Sequence, residues 1–388
     1  MRKAAVPFYA LIFLTEVVWV AIVPVAPTYA EKLSLSKVET GTVLAAAGIA
    51  TVLVSLPTGL LADRIGARTL TLGSSALMTV STLGQGLASD FWSLLVTRGA
   101  FGVALGAIWT AGLAWSSGAA PPERQVASLG APVMVAGLGI MIGPAFAGVL
   151  ADRFGVRTPF LVLGVASALV TVAFARAGAQ ETRHRRRPLG ETFRAARRDR
   201  VLLAGAAVIV LVGIMGGSVN LLVPLELRRN GLSTGTIGVV ISASAAVFVV
   251  ASAVVTALGS RAVTIRIAGV AALLYAASTL IPLAATSSLA LVAFLLVRSP
   301  FWSALSTLAY PLGGLGAHRA DVGSGAVMGL LNVLWGVAWS FAPIVAGAIA
   351  QAAGERWAFG ALVACALATG LWLLGERDAT EPAAEPAA

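Results

Sequence analysis

Long apolar runs, separated by short connectors that hold most of the charge and many of the turn-forming residues, constrain this chain more than any other feature. The runs fall at 7–30, 40–62, 69–88, 91–117, 128–151, 158–176, 201–226, 234–259, 267–286, 289–317, 323–350 and 357–375. A helix needs about 20 apolar residues to cross about 30 Å of hydrocarbon, so each run predicts one membrane-spanning helix. Strands of a membrane barrel would read as alternating segments of about ten residues, and none is present. With 11% charged residues, against about 25% in a soluble domain, and a mean hydropathy of +0.90, the expected class is an all-α integral membrane protein of twelve spans. Met1-Arg2-Lys3 before the first run has the charge pattern of a signal peptide. That run is too long for one, carries Glu16 near its middle and is followed by equivalent runs, so it reads as the first span.

Several function classes drop out early. The net charge of +10 comes from cations in connectors rather than from one folded basic face, so nucleic acid is not an expected partner. Cys365 is the single cysteine, which excludes a disulfide within the chain and a cysteine metal site. His184 and His318 both fall in connectors, so no metal centre is expected. There is no Gly-x-x-x-x-Gly-Lys-Ser/Thr loop to drive an ATP motor, and no cofactor is expected. An enzyme acting within the membrane would need a nucleophile, acid/base or metal cluster at one depth, and none is visible.

Orientation follows from the cations, because short cytoplasmic connectors collect Lys and Arg. With the N-terminus inside, cytoplasmic segments hold 18 of the 27 cations and external ones seven, while Arg98 and Arg298 lie within spans. Nine of the 18 stand between Arg176 and Arg200. The expectation is an inner or plasma membrane protein with both termini cytoplasmic. The segment 177–200 reads as a basic linker facing anionic headgroups, and 376–388, rich in Ala, Glu and Pro, as a disordered tail.

Internal repeats divide the chain. Gly59-Leu60-Leu61-Ala62-Asp63-Arg64-Ile65-Gly66-Ala67-Arg68-Thr69 returns 89 residues later as Gly148-Val149-Leu150-Ala151-Asp152-Arg153-Phe154-Gly155-Val156-Arg157-Thr158, identical at eight of eleven positions. The segment from Gly143 to Phe160 is echoed 199 residues on, from Ala342 to Phe359, and Leu95 to Leu105 is echoed 200 residues on, from Leu295 to Leu305. Agreement of the two long offsets predicts two homologous halves, 1–176 and 201–375, of six spans each. The 89-residue offset is three spans, which puts the two Asp-Arg loops on opposite faces and predicts inverted repeats nested in the halves.

At this point the sequence resembles the major facilitator superfamily, which has this doubly repeated organisation. Gly59, Asp63, Arg64, Gly66 and Arg68 resemble its loop signature, Gly-x-x-x-Asp-Arg-x-Gly-x-Arg. Arg98-x-x-x-Gly102-x-x-x-Gly106 is similar to the intramembrane arginine motif of proton-coupled members. Gly130, Gly139, Gly143, Pro144 and Gly148 resemble the Gly-Pro motif of twelve-helix drug:proton antiporters. The resemblance implies a secondary active transporter working by alternating access and exporting a small organic molecule in exchange for protons. A proton symporter importing a small metabolite is the alternative, followed by a membrane-embedded enzyme or a non-transporting sensor. The expected partners are protons, one small-molecule substrate and the bilayer, and the chain is expected to act as a monomer.

Glu16 is the one carboxylate well inside a span. An ionisable group at such a depth costs about 2.5–3.5 kcal/mol on insertion scales and marks a functional site. A carboxyl group escapes that cost by taking a proton, and can therefore carry one. Arg98 cannot give up its charge. Glu16 and Arg98 are thus the expected proton-coupling pair, with Arg98 lowering the proton affinity of Glu16 in one conformation. Trp19, Trp109, Asn220, Arg298, Asn332, Trp335 and Trp339 are candidates to line a substrate cavity, and Trp92 and Trp357 are expected interfacial anchors. In the loop signature, Asp63 is expected to cap the positive end of the eleventh span near Gly323-Ser324, closing a cytoplasmic gate, and Asp152 to matter less.

Overall fold

The computed structural model describes residues 2–118, 125–177, 199–319 and 324–376. The linker from 178 to 198, Gly323 and the tail beyond 376 lie outside the described residues, and so do the side chains of Asp63 and His318. Expectations for those positions therefore have no structural counterpart here.

Twelve long helices follow one another among the described residues: α1 (Arg2–Leu33), α2 (Lys37–Ile65), α3 (Ala67–Leu87), α4 (Phe91–Ala107), α5 (Gln125–Phe154), α6 (Thr158–Arg176), α7 (Arg200–Arg229), α8 (Thr234–Ala257), α9 (Ile265–Ala284), α10 (Ser288–Arg319), α11 (Ser324–Ala352) and α12 (Glu355–Gly375). Each corresponds to one apolar run, and several, such as α1, α2, α5 and α7, extend a few residues past it at one or both ends. Ser36 opens α2 in a capping box: its Oγ accepts from the Glu39 N–H at 3.2 Å, while Glu39 Oε2 accepts from the Ser36 N–H at 2.8 Å. Glu39 at the edge of the second run is therefore a helix starter. Asp90 does the same for α4, accepting from the Ser93 N–H at 2.9 Å.

Among the described residues eleven of these helices are long and apolar enough to cross a membrane, and α3 is the exception. Its buried positions include Thr71, Ser74, Ser75, Ser81, Thr82 and Gln85. Most of those hydroxyls bond to carbonyls one turn back, as Thr71 does to Ala67 O at 2.7 Å. The helix packs on α6 and α4 rather than turning an apolar surface outward.

In the first half α1 packs along α5, α2 along α4, and α3 along α6. Exchange of the first three helices with the second three maps the α1–α5 pair onto α4–α2 and α3–α6 onto itself, as a nested inverted repeat requires. The second half repeats the scheme. α9 packs along α12, Ser303 of α10 donates to Phe248 O of α8 at 2.8 Å, and Gly213 of α7 abuts Trp335 and Trp339 of α11.

By compactness the chain forms two units. The first comprises Met1–Arg186, Gly217–Ala245 and Ser340–Ala352, and the second Arg187–Gly216, Ala246–Trp339 and Ala353–Ala388. These units do not follow the sequence halves, because parts of α7, α8 and α11 join the first. The core of the first is built around α1, where Phe8, Leu11, Ile12, Val18, Ala21 and Val25 are fully buried.

The Asp-Arg loops need glycine for a backbone reason. Gly66 joins α2 to α3 at φ 100° and ψ 139°, and its repeat mate Gly155 stands at φ 93°. Residues with a Cβ reach such conformations at a cost of about 1–3 kcal/mol. Gly66→Ala is therefore expected to destabilise the protein by about that amount in thermal unfolding of the detergent-purified chain. Gly73→Ala is the control: nothing lies within 4 Å of a Cβ at that position in α3, so it should stabilise by up to about 1 kcal/mol through helix propensity.

Candidate functional site

Glu16 sits in the middle of α1, only 7% exposed. Its Oε1 accepts a 2.7 Å hydrogen bond from the Trp109 indole N–H. Trp109 is presented by a π-helical turn, Ile108–Gly112, that interrupts the helix continuing from α4. Such a turn inserts an extra residue and re-aims side chains, and it recurs at functional positions. The third wall is α5, where a Cβ on Gly139 would stand 2.9 Å from Glu16 Cβ and 2.7 Å from Phe13 O. A carboxyl group is thus enclosed by three helices and held by a neutral donor. The indole N–H can donate to Oε1 whether or not the other oxygen carries a proton, so the partner does not fix the charge state. The other buried carboxylate among the described residues, Glu226, is 3.5 Å from Arg229 and is already paired with a cation.

Arg98, 1% exposed, does not pair with Glu16 in this structure. Its guanidinium grips the backbone of α1 just beyond Glu16, donating to Trp19 O at 2.7 Å and Val18 O at 3.3 Å, and to Gln85 Oε1 at 3.4 Å. It also lies over the rings of Trp19 and Phe101, at 5.3 and 5.1 Å. Carbonyl oxygens have a second lone pair to offer, so a helix can serve an arginine without unwinding. Sequence reasoning had no means to see this, since every residue carries a carbonyl. Trp19, a candidate for substrate contact, is here the aromatic face under Arg98.

The glycines after Arg98 keep α4 close to α2. A Cβ on Gly102 would fall on the Ala47 backbone, and Thr51 Oγ1 donates to Gly102 O at 2.8 Å. The Gly-Pro run of α5 serves two neighbours. Gly139 and Gly143 lie against α1, the latter facing Val17 and Val20. Pro144 and Gly148 lie against the start of α8, where Thr234, Gly235 and Gly238 leave no room for added side chains. The Ala145 N–H donates to Ser242 Oγ at 2.9 Å across the same crossing. Gly130 lies in the same helix, but its surroundings lie outside the described residues.

In the loop signature, Gly59 is buried, Arg64 is exposed and Arg68 donates to Ala175 O at 3.0 Å and Phe174 O at 3.3 Å, tying α3 to the end of α6. Asp152, in the second copy, has a contact the sequence reading ranked low. A Cβ on Gly235, in the first turn of α8, would meet its Oδ2 at 2.6 Å. The carboxylate therefore stands at the positive end of that helix.

Asp152 belongs to a larger set of contacts inside the first unit. Arg228 makes a two-pronged ion pair with Glu31, Nε to Oε1 at 2.8 Å and one Nη to Oε2 at 2.9 Å. Thr28 and Thr234 hydroxyls bond at 2.8 Å, and Lys37 Nζ donates to Ala350 O at 3.3 Å. Glu31 and Arg228 are 197 residues apart and no spacing rule links them, so sequence reasoning passed over both. The pair is partly exposed, at 53% and 31% of the side chains. Screening then limits its worth to about 1 kcal/mol or less. Glu31→Gln is expected to shift the balance of accessible states by no more than about fivefold at low salt, with the shift fading toward 1 M salt. Cysteine labelling rates at this end of α1 would measure it.

The second unit gathers other candidates. Arg298, 4% exposed, is the repeat counterpart of Arg98. It lies 4.9 Å from the Trp302 ring centroid and 5.6 Å from that of Phe294. Its Nε and one Nη have no partner in full hydrogen-bond geometry, and neither has the Tyr275 hydroxyl, which lies against the guanidinium and interacts with it. Cation–π contact supplies about 0.5–2 kcal/mol, whereas burying an unpaired ion costs several kcal/mol; the rings alone do not balance this charge. Trp302 stacks on Trp339 at 6.2 Å and 24°, and Trp339 packs on Trp335 at 5.3 Å. Gly216 of α7 lets the Trp339 ring lie against the backbone. Asn332 accepts from the Tyr310 hydroxyl at 2.6 Å. Trp335, Trp339 and Arg298 were legible as candidates, while Trp302, Tyr275 and Tyr310 were not. Asn220 is half-buried on α7 within the first unit, and Trp92 and Trp357 are exposed at helix starts.

The comparisons with known proteins agree with this architecture. The profile of the Major Facilitator Superfamily matches residues 8–327. The chain is 25% identical over 227 residues to the multi-drug resistance efflux pump PmrA of Streptococcus pneumoniae serotype 4, covering 56% of this chain and 57% of that one. It is 29% identical over 244 residues to the multidrug resistance protein MdtG of Dickeya zeae, covering 61% and 60%. A PmrA homolog of Lactococcus lactis subsp. lactis is 30% identical over 155 residues, covering 39% and 38%. The chain thus spans about half the length of the curated relatives it matches. Among solved structures, a bacterial homolog of the human lysosomal transporter Spinster, crystallised inward-facing and unoccupied, superposes with a TM-score of 0.79 over 95% of both chains at 15% identity. At that identity the likeness is one of fold. A profile match over most of the chain, on a helix arrangement with the nested repeat, shows that the chain belongs to the Major Facilitator Superfamily, a family of membrane transporters rather than enzymes.

Proposed function

We propose that this protein exports small organic molecules across the cell membrane in exchange for protons, by alternating access, with both termini in the cytoplasm. The observation that carries the reading is the Glu16 carboxyl group, enclosed by α1, α5 and the π-turn and bonded to the Trp109 indole rather than to a cation. A carboxyl group in that setting can exist as acid or carboxylate, and a change of charge there acts on α1, the helix that Arg98 grips at residues 18 and 19. Loss of the proton leaves a negative charge within one turn of the α1 carbonyls that Arg98 grips and favours a different placement of α1. The export direction is taken from the names of the relatives.

Alternating access also needs a seal that can break. In the proposed orientation the α5–α8 crossing, the Glu31–Arg228 pair and Asp152 at the first turn of α8 close the external side. These contacts are glycine-tight or polar, so they can part without exposing a large apolar surface.

The test is transport in liposomes containing the purified chain and a pH-sensitive dye, with a panel of cationic, neutral and anionic fluorescent aromatic compounds. Antiport predicts that at least one compound accumulates in vesicles with an acidic lumen while protons leave. Uptake only under the reversed gradient would assign symport and overturn the proposal. Uptake indifferent to either gradient would remove proton coupling.

A further inference from the structure

We propose that Arg298, with Tyr275 facing it, is an anion-binding site, and that this transporter takes aromatic compounds bearing a carboxylate. The inference rests on reading the chain as a transporter of small organic molecules, and names the chemistry of one substrate class.

The two intramembrane arginines occupy equivalent places in the repeat, 200 residues apart, but their surroundings differ. Arg98 is served by Trp19 O, Val18 O and Gln85 Oε1, which leaves only its Nε without a partner. Gln85 comes from α3, the third helix of its half. The corresponding third helix of the other half, α9, presents Tyr275, fully buried, whose hydroxyl lies against Arg298 and interacts with it but has no partner in full hydrogen-bond geometry. Two guanidinium nitrogens of Arg298 and this hydroxyl are thus buried polar atoms with their hydrogen-bonding capacity unspent. Buried polar groups in native proteins are almost always satisfied, so such a cluster calls for a ligand.

The charge calls for the same ligand. The acids described in the second unit are Asp199, Glu355 and Glu376, all at helix ends. Asp199 lies 3.5 Å from Arg319, and Glu376 lies 3.0 Å from Arg200. None of these described acids pairs with Arg298, and a ligand carrying a negative charge would supply the counter-charge. A carboxylate suits it, since its two oxygens accept in parallel from a guanidinium fork. The aromatic requirement comes from Trp302, whose ring lies 4.9 Å from the guanidinium and continues into the Trp339 and Trp335 rings. These tryptophans are half-buried and offer stacking surface beside the charge.

The experiment compares naphthoate with naphthamide, which share shape and differ in charge, for binding to the full-length purified protein by calorimetry and tryptophan fluorescence. Naphthoate is expected to bind about tenfold or more tightly than naphthamide. In Arg298→Gln that preference should vanish, with naphthoate about tenfold weaker and naphthamide changed less than about twofold. Arg298→Lys should keep part of the preference, because the charge stays but the fork is lost. Tyr275→Phe should weaken naphthoate alone. Should Arg298→Gln fail to fold, the lysine and phenylalanine variants carry the same comparison. Equal binding of the two probes, no saturable naphthoate binding, or full retention of the preference in these variants would overturn the proposal. Glu16→Gln separates the two readings. It should bind naphthoate as the parent does while losing proton-driven transport, so a failure of binding leaves proton coupling standing, and the reverse holds as well.

Discussion

Glu16→Gln is expected to abolish transport against a substrate gradient while leaving the protein folded. Glutamine keeps the volume, and its amide oxygen can still accept the Trp109 indole N–H that now reaches Oε1 at 2.7 Å. A near-isosteric change of this kind costs less than about 1.5 kcal/mol of stability. What is lost is the ability to bind and release a proton. In liposomes with an imposed pH gradient, accumulation should fall to the level of empty vesicles, while exchange of labelled for unlabelled substrate continues. Glu16→Asp restores a carboxyl group but withdraws it by one methylene from the indole, and should recover part of the accumulation. Trp109→Phe leaves the carboxyl group buried without its donor, a loss of about 1–3 kcal/mol, and should move the pH profile of transport without abolishing it. Accumulation by Glu16→Gln equal to the parent would refute the assignment of Glu16 as the proton carrier.

The second large effect is expected at the α5–α8 crossing. A Cβ on Gly238 would fall on the carbonyl oxygen of Pro144, with Gly148 Cα 3.2 Å away. Both obstacles are backbone, so neither can swing aside, and Gly238→Val forces the helices apart. Overpacking of this kind costs about 1–3 kcal/mol. If the cost falls on the state with this crossing closed, the balance of states moves by about five- to 150-fold. The measurement is the alkylation rate of a cysteine at Thr28, whose hydroxyl now meets Thr234, in a background with Cys365 replaced. The rate should rise by a factor in that range. Gly137→Val on α5, the other helix of the crossing, is the control, since nothing lies within 4 Å of a Cβ there. An unchanged rate in Gly238→Val would show that the crossing does not close this end.

The helices were legible because hydrocarbon imposes one requirement on all of them: about 20 apolar residues per crossing with the backbone bonded internally. That requirement is local, so it is written in consecutive residues, and each of the twelve runs became one helix. Even the departure of α3 has a local trace in its Ser, Thr and Gln content. The repeats were legible for a similar reason, since duplicated segments keep their turn glycines wherever the backbone needs the conformation, as at Gly66 and Gly155.

The partners of the charged groups were not legible. Glu16 and Arg98 are the two conspicuous intramembrane charges of the first half, and by type they look like a pair. In the folded chain Glu16 takes an indole 93 residues away, and Arg98 takes carbonyl oxygens of α1 about 80 residues away. Backbone acceptors leave no mark in a sequence. The π-turn that aims Trp109 changes the register of one helix by a single residue, and no residue type announces it. Likewise Arg298 and Arg98 read alike in the repeat, and only packing shows Arg98 with one open nitrogen and three acceptors, and Arg298 with two open nitrogens. Composition and spacing determined a membrane protein of twelve long helices in a repeated pattern, because solvation by lipid acts on each segment alone. Which side chains meet was decided by tertiary structure, because hydrogen bonds and close helix crossings depend on distances of a few ångströms between segments that the sequence holds far apart.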